Sequence, residues 1–174
     1  YGAGTLRNYI RSTKAHNTVV VDETDQAECW GSFRVGRRYK PKNVQFNHNQ
    51  NGFIFSGDFY GYKYLIGDDI VHSRTIKYYI KKYISIEDQI DGSNNHRIES
   101  IIHLAPTVEV TEVSKTELQV LHKGNPVLIS ITSGDYTTID TFYSPMFNTQ
   151  IESTAIRILY QGVLPAKLSY TIQL

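Results

Sequence analysis

From Thr18 to the C-terminus the chain is a succession of short segments rich in Val, Ile, Tyr, Phe and Thr, each closed by turn chemistry. No window sustains the i, i+3, i+4, i+7 recurrence of an amphipathic helix, so the chain is restricted to antiparallel β-structure. The expected strands are Thr18-Asp22, Ser32-Tyr39, Val44-His48, Gly52-Tyr60, Arg74-Lys82, Tyr83-Gln89, Arg97-His103, Thr107-Val113, Glu117-His122, Val127-Ser133, Thr137-Thr141, Ala155-Gln161 and Lys167-Leu174. Between them, Asn49-Gln50-Asn51-Gly52, Asp91-Gly92, Lys123-Gly124-Asn125-Pro126 and Ser133-Gly134-Asp135 tolerate positive φ or preset a bend. Alternation such as Leu118-Gln119-Val120 gives each strand one core-facing side. About thirteen strands are too many for one flat sheet. The expected fold class is therefore all-β, an antiparallel two-sheet β-sandwich over residues 1–174.

Composition narrows the function classes. With a net charge of +1 and 20% charged residues spread along the chain, there is no electrostatic footprint for nucleic acid. No run approaches the roughly 18 to 20 apolar residues of a membrane-spanning helix, so no membrane partner is expected. Cys29 is the only cysteine, which excludes an internal disulfide and a cysteine-based zinc cluster. Gly-rich phosphate loops, Gly-x-Ser-x-Gly elbows and His-Glu-x-x-His helices are all missing from the sequence, so nucleotide use, serine hydrolysis and zinc-protease chemistry have no support.

Among single residues, His16 stands out. It precedes Asn17-Thr18 at the mouth of an apolar strand, a position that suits a ligand or a base. Tyr60, Tyr62 and Tyr64 are spaced by two and would share one face of a strand, either as packing residues or as a sugar-stacking surface. His72 and His103 fall inside strands and read as structural; His48, His96 and His122 lie near turns and read as exposed. Asp22 and Asp25 shape a turn after the first strand, with Trp30 packing close by.

The segment "RNYIRSTKAHNTVVVDETDQAECWGSF" resembles the Arg-Ser-Thr-x-Ala-His-Asn-Thr-Val-x-Val-Asp stretch of heparinase II/III-like polysaccharide lyases. "DDIVHSRTIKYY" resembles that family's His-x-Arg strand, "IIHLAPTVEV" its His-Leu-x-Pro stretch, and the segment from "FYSPMFN" to the C-terminus its closing strands. The family joins an α-helical toroid to a C-terminal β-sandwich and cleaves uronate-containing polysaccharides by β-elimination. On that resemblance the chain is the later part of the sandwich. Its expected partners are an acidic polysaccharide and an upstream α-toroid, and its expected setting is periplasmic or secreted in a bacterium.

The resemblance also implies roles. His16 corresponds to a metal-ligand histidine, where zinc would be held by imidazole and carboxylate from three segments. The family's His-Gly-His-x-x-Asp stretch is absent from this chain, and so is the toroid that supplies most catalytic groups. The expectation is a fragment, beginning at Tyr1-Gly2-Ala3-Gly4 without an initiator Met, that is inactive alone. Tyr1 falls near where some relatives place a Tyr beside the cleaved sugar, a candidate catalytic residue. Arg7 and Arg11 are candidates for paired hydrogen bonds to a uronate carboxylate or a sulfate, with Tyr60 and Tyr62 as further substrate contacts. The competing expectation is a non-catalytic carbohydrate-binding or exopolysaccharide-assembly module on the same fold.

Overall fold

The structure, a computed structural model, describes residues 4–146 and 149–174. Helix α1 (Thr5–Arg11) and a 3-10 turn (Thr13–Ala15) lead into β1 (Val19–Val21), then β2 (Glu28–Trp30) and β3 (Arg34–Gly36). A long hairpin of β4 (Lys42–Asn49) and β5 (Gly52–Phe59) ends in the short helix α2 (Gly61–Leu65). The rest is β6 (Val71–Tyr79), β7 (Tyr83–Asp91), β8 (Asn95–His103), β9 (Val108–Ser114), β10 (Glu117–His122), β11 (Asn125–Ser133), β12 (Asp135–Tyr143), β13 (Ile151–Val163) and β14 (Ala166–Gln173). None of the described helices is long and apolar enough to cross a membrane.

The all-β, antiparallel expectation holds. A four-stranded sheet, ordered β1-β8-β13-β12, faces an eight-stranded sheet, ordered β4-β5-β6-β7-β14-β11-β10-β9, and β2-β3 form a separate hairpin. Polar contacts between the two sheets give the stacking order. Asn17, just before β1, meets Arg74 of β6; Ser100 of β8 meets Asp88 of β7; Tyr136 of β12 meets Ser114 of β9. The smaller sheet thus spans β6 to β9, and β4 and β5 extend beyond it.

Alternation decides which side chains meet in the middle. On β7 the inward set is Ile86, Asp88 and Ile90, and it packs with Leu168, Ile131, Leu118, Ile98, Ile156 and Ile158 in one buried cluster. Full burial of each such aliphatic side chain stabilises the fold by roughly 1.5–3 kcal/mol. Two glycines are needed where hairpins are tight. At Gly52 (φ 151°) a Cβ would lie 1.8 Å from the Tyr78 carbonyl oxygen. At Gly134 (φ 100°) it would lie 2.6 Å from Ile158.

Several local expectations need correction. Ser32-Tyr39 contains only the three-residue β3, because that hairpin is exposed and lacks a second layer. The β2 strand and both helices were not expected; each is short and tied by tertiary contacts rather than by its own periodicity. His96 is 4% exposed, not a surface residue, since loop carboxylates distant in sequence close over it.

Candidate functional site

The His16 loop is built from its anchors. The Thr13 N–H donates to Asp25 Oδ1 (2.6 Å) and the Gln26 N–H donates to Thr13 Oγ1 (2.7 Å), fixing the 3-10 turn to the loop after β1. His16 itself is extended (φ −130°, ψ 156°) and exposed. Asn17 is held on both sides: its Oδ1 accepts from the His103 N–H (2.7 Å), and its carbonyl accepts from Arg74 Nη1. The His103 ring donates from Nε2 to the Lys14 carbonyl (2.9 Å). Burial lowers the affinity of His103 for a second proton and the neighbouring His16 lowers it further, outweighing the Lys14 bond. In the neutral form of the ring, the Nε2 proton given to the Lys14 carbonyl leaves Nδ1 as the unprotonated nitrogen.

Beneath Asn17 lies a buried charge network. Asp88 is 1% exposed. Its Oδ1 accepts from His72 Nε2 (2.7 Å) and Arg74 Nε (2.7 Å). Its Oδ2 accepts from Arg74 Nη2 (2.9 Å) and Ser100 Oγ (2.9 Å). Burial alone would raise the Asp88 carboxyl, but the bonds from His72 and Arg74 and the guanidinium charge outweigh it, holding the group well below the usual carboxylate range. The fork of Arg74 fits this role: two donors grip the carboxylate and a third reaches the Asn17 carbonyl. A carboxylate in the sandwich core thereby positions the backbone next to His16.

His16 lines a pocket of about 200 Å³ with Tyr9, Ile10, His103, Phe142 and Ser153. Tyr9 from α1 closes one side, its ring 4.8 Å from Phe142 and its hydroxyl 2.7 Å from Thr141 Oγ1. Among the described residues the His16 imidazole makes no hydrogen bond, which leaves a ring nitrogen free to bind a ligand. Among those same residues no three His, Cys, Asp or Glu side chains could share a metal ion. A metal ion here would need ligands beyond His16.

The other expected site residues fall elsewhere. Tyr1 lies outside the described residues. Arg7 donates to the Ser32 carbonyl and stacks over Phe33 at 5.1 Å, while Arg11 donates to the carbonyls of Gly31 (2.8 Å) and Arg34 (2.7 Å). Both guanidinium groups thus moor the β2-β3 hairpin to α1. Tyr60, Tyr62 and Tyr64 do not share a strand face, because the chain leaves β5 at Phe59 and turns into α2. Tyr62 is fully buried and donates to the Val19 carbonyl (2.6 Å), so its ring offers nothing to a sugar. Tyr60 is half-buried with Lys42 over its ring, and the exposed Tyr64 stacks on Tyr39. Asp88 was missed by sequence reasoning, although Ile86-x-Asp88-x-Ile90 signals an acid on the core face of a strand.

Known proteins show the same architecture. The profile of the family described as heparinase II/III-like, C-terminal, matches residues 1–171. The fold superposes on heparan sulfate lyase HepC from Pedobacter heparinus with a TM-score of 0.78 at 14% identity, covering 99% of this chain and 26% of that one. A heparinase III, the BT4657 gene product, gives 0.75 at 15% identity over 99% of this chain and 26% of that one. A further heparinase III structure gives 0.72 at 15% identity, covering 99% and 25% respectively. At such identities the likeness shows the fold alone, and the chain spans about a quarter of the length of these structures. No curated protein matches by sequence. The family match covers nearly the whole chain and agrees with the fold, and the chain belongs to the heparinase II/III-like C-terminal family.

Proposed function

We propose that the chain is the β-sandwich portion of a bacterial, periplasmic or secreted polysaccharide lyase that cleaves uronate-containing glycosaminoglycan-like or alginate-like polymers by β-elimination. The reaction needs a base for the proton on uronate C5, a group that neutralises the carboxylate, and an acid for the leaving oxygen. The reading assigns most of these to an upstream α-toroid and assigns this chain the cleft floor. The observation that carries it is the Asp88–Arg74–Asn17 connection, which presents His16 at a pocket rim with its imidazole unpaired among the described residues. His16 would supply one ligand to zinc, with the others coming from outside the described residues; bound there, the ion would fix this loop against the rest of the protein.

The competing reading is a non-catalytic carbohydrate-binding or exopolysaccharide-assembly module. The engagement of Arg7 and Arg11 with backbone carbonyls favours it, since both guanidinium groups use, to hold the hairpin, donors that a lyase would aim at an acidic sugar. Assay of the intact parent protein separates the two. A lyase turns heparan sulfate, chondroitin sulfate, alginate or a bacterial capsule polymer into unsaturated uronate, read as rising far-ultraviolet absorbance. Flat traces on all four, with polymer still bound, would establish the module instead. Metal analysis of the same preparation should show zinc in the wild type and its loss in His16→Ala.

A further inference from the structure

The inner face of the eight-stranded sheet does not stop where the smaller sheet does. Register carries it outward without a break. Ile86 of β7 pairs with Ile76 of β6, Ile76 with Phe55 of β5, and Phe55 with Phe46 of β4. One pair further along, Ile84, Tyr78, Phe53 and His48 are likewise in line. Side chains opposite one another on adjacent strands share a face, so this stripe continues the buried core. Its rings touch across strands, Phe46 to Phe53 at 5.6 Å and Phe53 to Tyr78 at 5.3 Å. Val44 packs over Gly57, 3.4 Å from where a Cβ would stand.

The outer part of the stripe is nonetheless open: Phe46 is 58% exposed, Val44 55% and Phe55 36%. An apolar, cross-strand aromatic face of this kind marks a surface made to be covered. Nor does the smaller sheet extend over it through β1, because the outer edge of β1 is already closed. The Val19 carbonyl accepts from the Tyr62 hydroxyl, and the Val21 carbonyl accepts from the Thr24 N–H (2.8 Å). Whatever covers the stripe must pack on it as a separate layer.

We infer that Val44, Phe46, Phe53, Phe55 and Tyr78 form the docking face for the remainder of the parent polypeptide, which presents an apolar surface to them. This rests on the reading that the parent, like the structures it resembles, is about four times as long as this chain. The stripe is chemically suited to that occupant: its members are aliphatic and aromatic, with no Lys, Arg, Asp or Glu among those named, so it has no charge complement for an acidic polysaccharide.

The test is thermal unfolding of the intact parent carrying Phe46→Asp, with Ile54→Asp as control. Ile54 is on the opposite face of β5 and 40% exposed, so the same charge enters without touching the stripe. The expected result is that Phe46→Asp splits one cooperative transition into two or lowers its midpoint, while Ile54→Asp does neither; Phe46→Ser should give a weaker version of the same change. Identical unfolding of both Asp variants overturns the inference. So does light scattering that shows a wild-type dimer dissociated by Phe46→Asp, which makes a second copy the occupant. Loss of heparan sulfate binding by Phe46→Asp with unfolding unchanged would make the stripe a glycan site, and also overturns it. Uronate release in the wild-type sample is read separately, so a split transition with no uronate keeps the docking face and rejects the lyase.

Discussion

The two halves of the eight-stranded sheet present one continuous inner face, and they differ in what lies opposite. Around β7, β14, β11 and β10 the inward side chains meet the four-stranded sheet and are dry, Ile90 and Leu118 being completely buried. On β4 and β5 the same alternation yields an exposed row, with Phe46 at 58%. Strand pattern therefore sets which way a side chain points, and the second layer sets whether it is buried. The polar groups divide in the same way. In the covered half a carboxylate is sealed inside four hydrogen bonds, two of them from the guanidinium that also grips the His16 loop.

The sharpest way to break this contrast is to unseat the buried carboxylate. Asp88→Ala leaves Arg74 and His72 facing each other without their shared acceptor, and it should cost about 3–5 kcal/mol by denaturant unfolding. A loss below about 1 kcal/mol would mean that the network is wetter than its burial implies. Next comes truncation on either side of the boundary. Leu118→Ala in the covered half should cost about 2–5 kcal/mol through the cavity it opens. In this chain without its docked partner, Phe55→Ala in the open half should cost about 1 kcal/mol or less.

Acid unfolding sharpens the same comparison. The Asp88 carboxyl is depressed in the folded state, so the unfolded chain binds the proton more readily. Its contribution is fully present above the ordinary aspartate value of about 4 and is lost as pH falls through and below it. Asp88→Asn should flatten stability against pH in that acid window. A variant with the wild-type slope would show that other carboxylates set the acid limit. A milder change in the same network is Arg74→Lys, expected to cost less than Asp88→Ala. Lysine keeps a charge beside Asp88 but not the fork, so about 1–2 kcal/mol is lost. The His103 amide, bonded to Asn17 Oδ1, should exchange faster with solvent while amides of β10 do not.

How much of this was legible follows from the range of the forces involved. Local pattern was enough for Glu117-His122, which is found unchanged as β10, and for the hairpin at Lys123-Gly124, where both residues adopt positive φ. Tyr60, Tyr62 and Tyr64 misled because a spacing of two also occurs in a helix entered at Gly61, and the burial of Tyr62 against Val19 decides the outcome. The burial of His96 is invisible to local pattern because its cover is non-local. Asp22 Oδ2 lies 2.6 Å from Nδ1, and Asp68 Oδ2 lies 3.3 Å from Nε2 without hydrogen-bond geometry. The division into four and eight strands was not legible either, since β14 enters between β7 and β11 from the far end of the chain. At the site, the motif singles out His16 only as a candidate. The residues that place it are joined only by the fold, and of these Arg74 lies 57 positions away from Asn17.

The central claim is that one inner face has two covers, one inside this chain and one outside it. Hydroxyl-radical footprinting of the intact parent reads this directly, by comparing Phe46 and Phe55 with the buried Tyr62. The expected result is that all three are oxidised slowly in the folded parent, and that Phe46 and Phe55 speed up by about tenfold or more when it is unfolded in urea. Phe46 and Phe55 reacting as fast in the folded parent as in urea, with Tyr62 still protected, would contradict it.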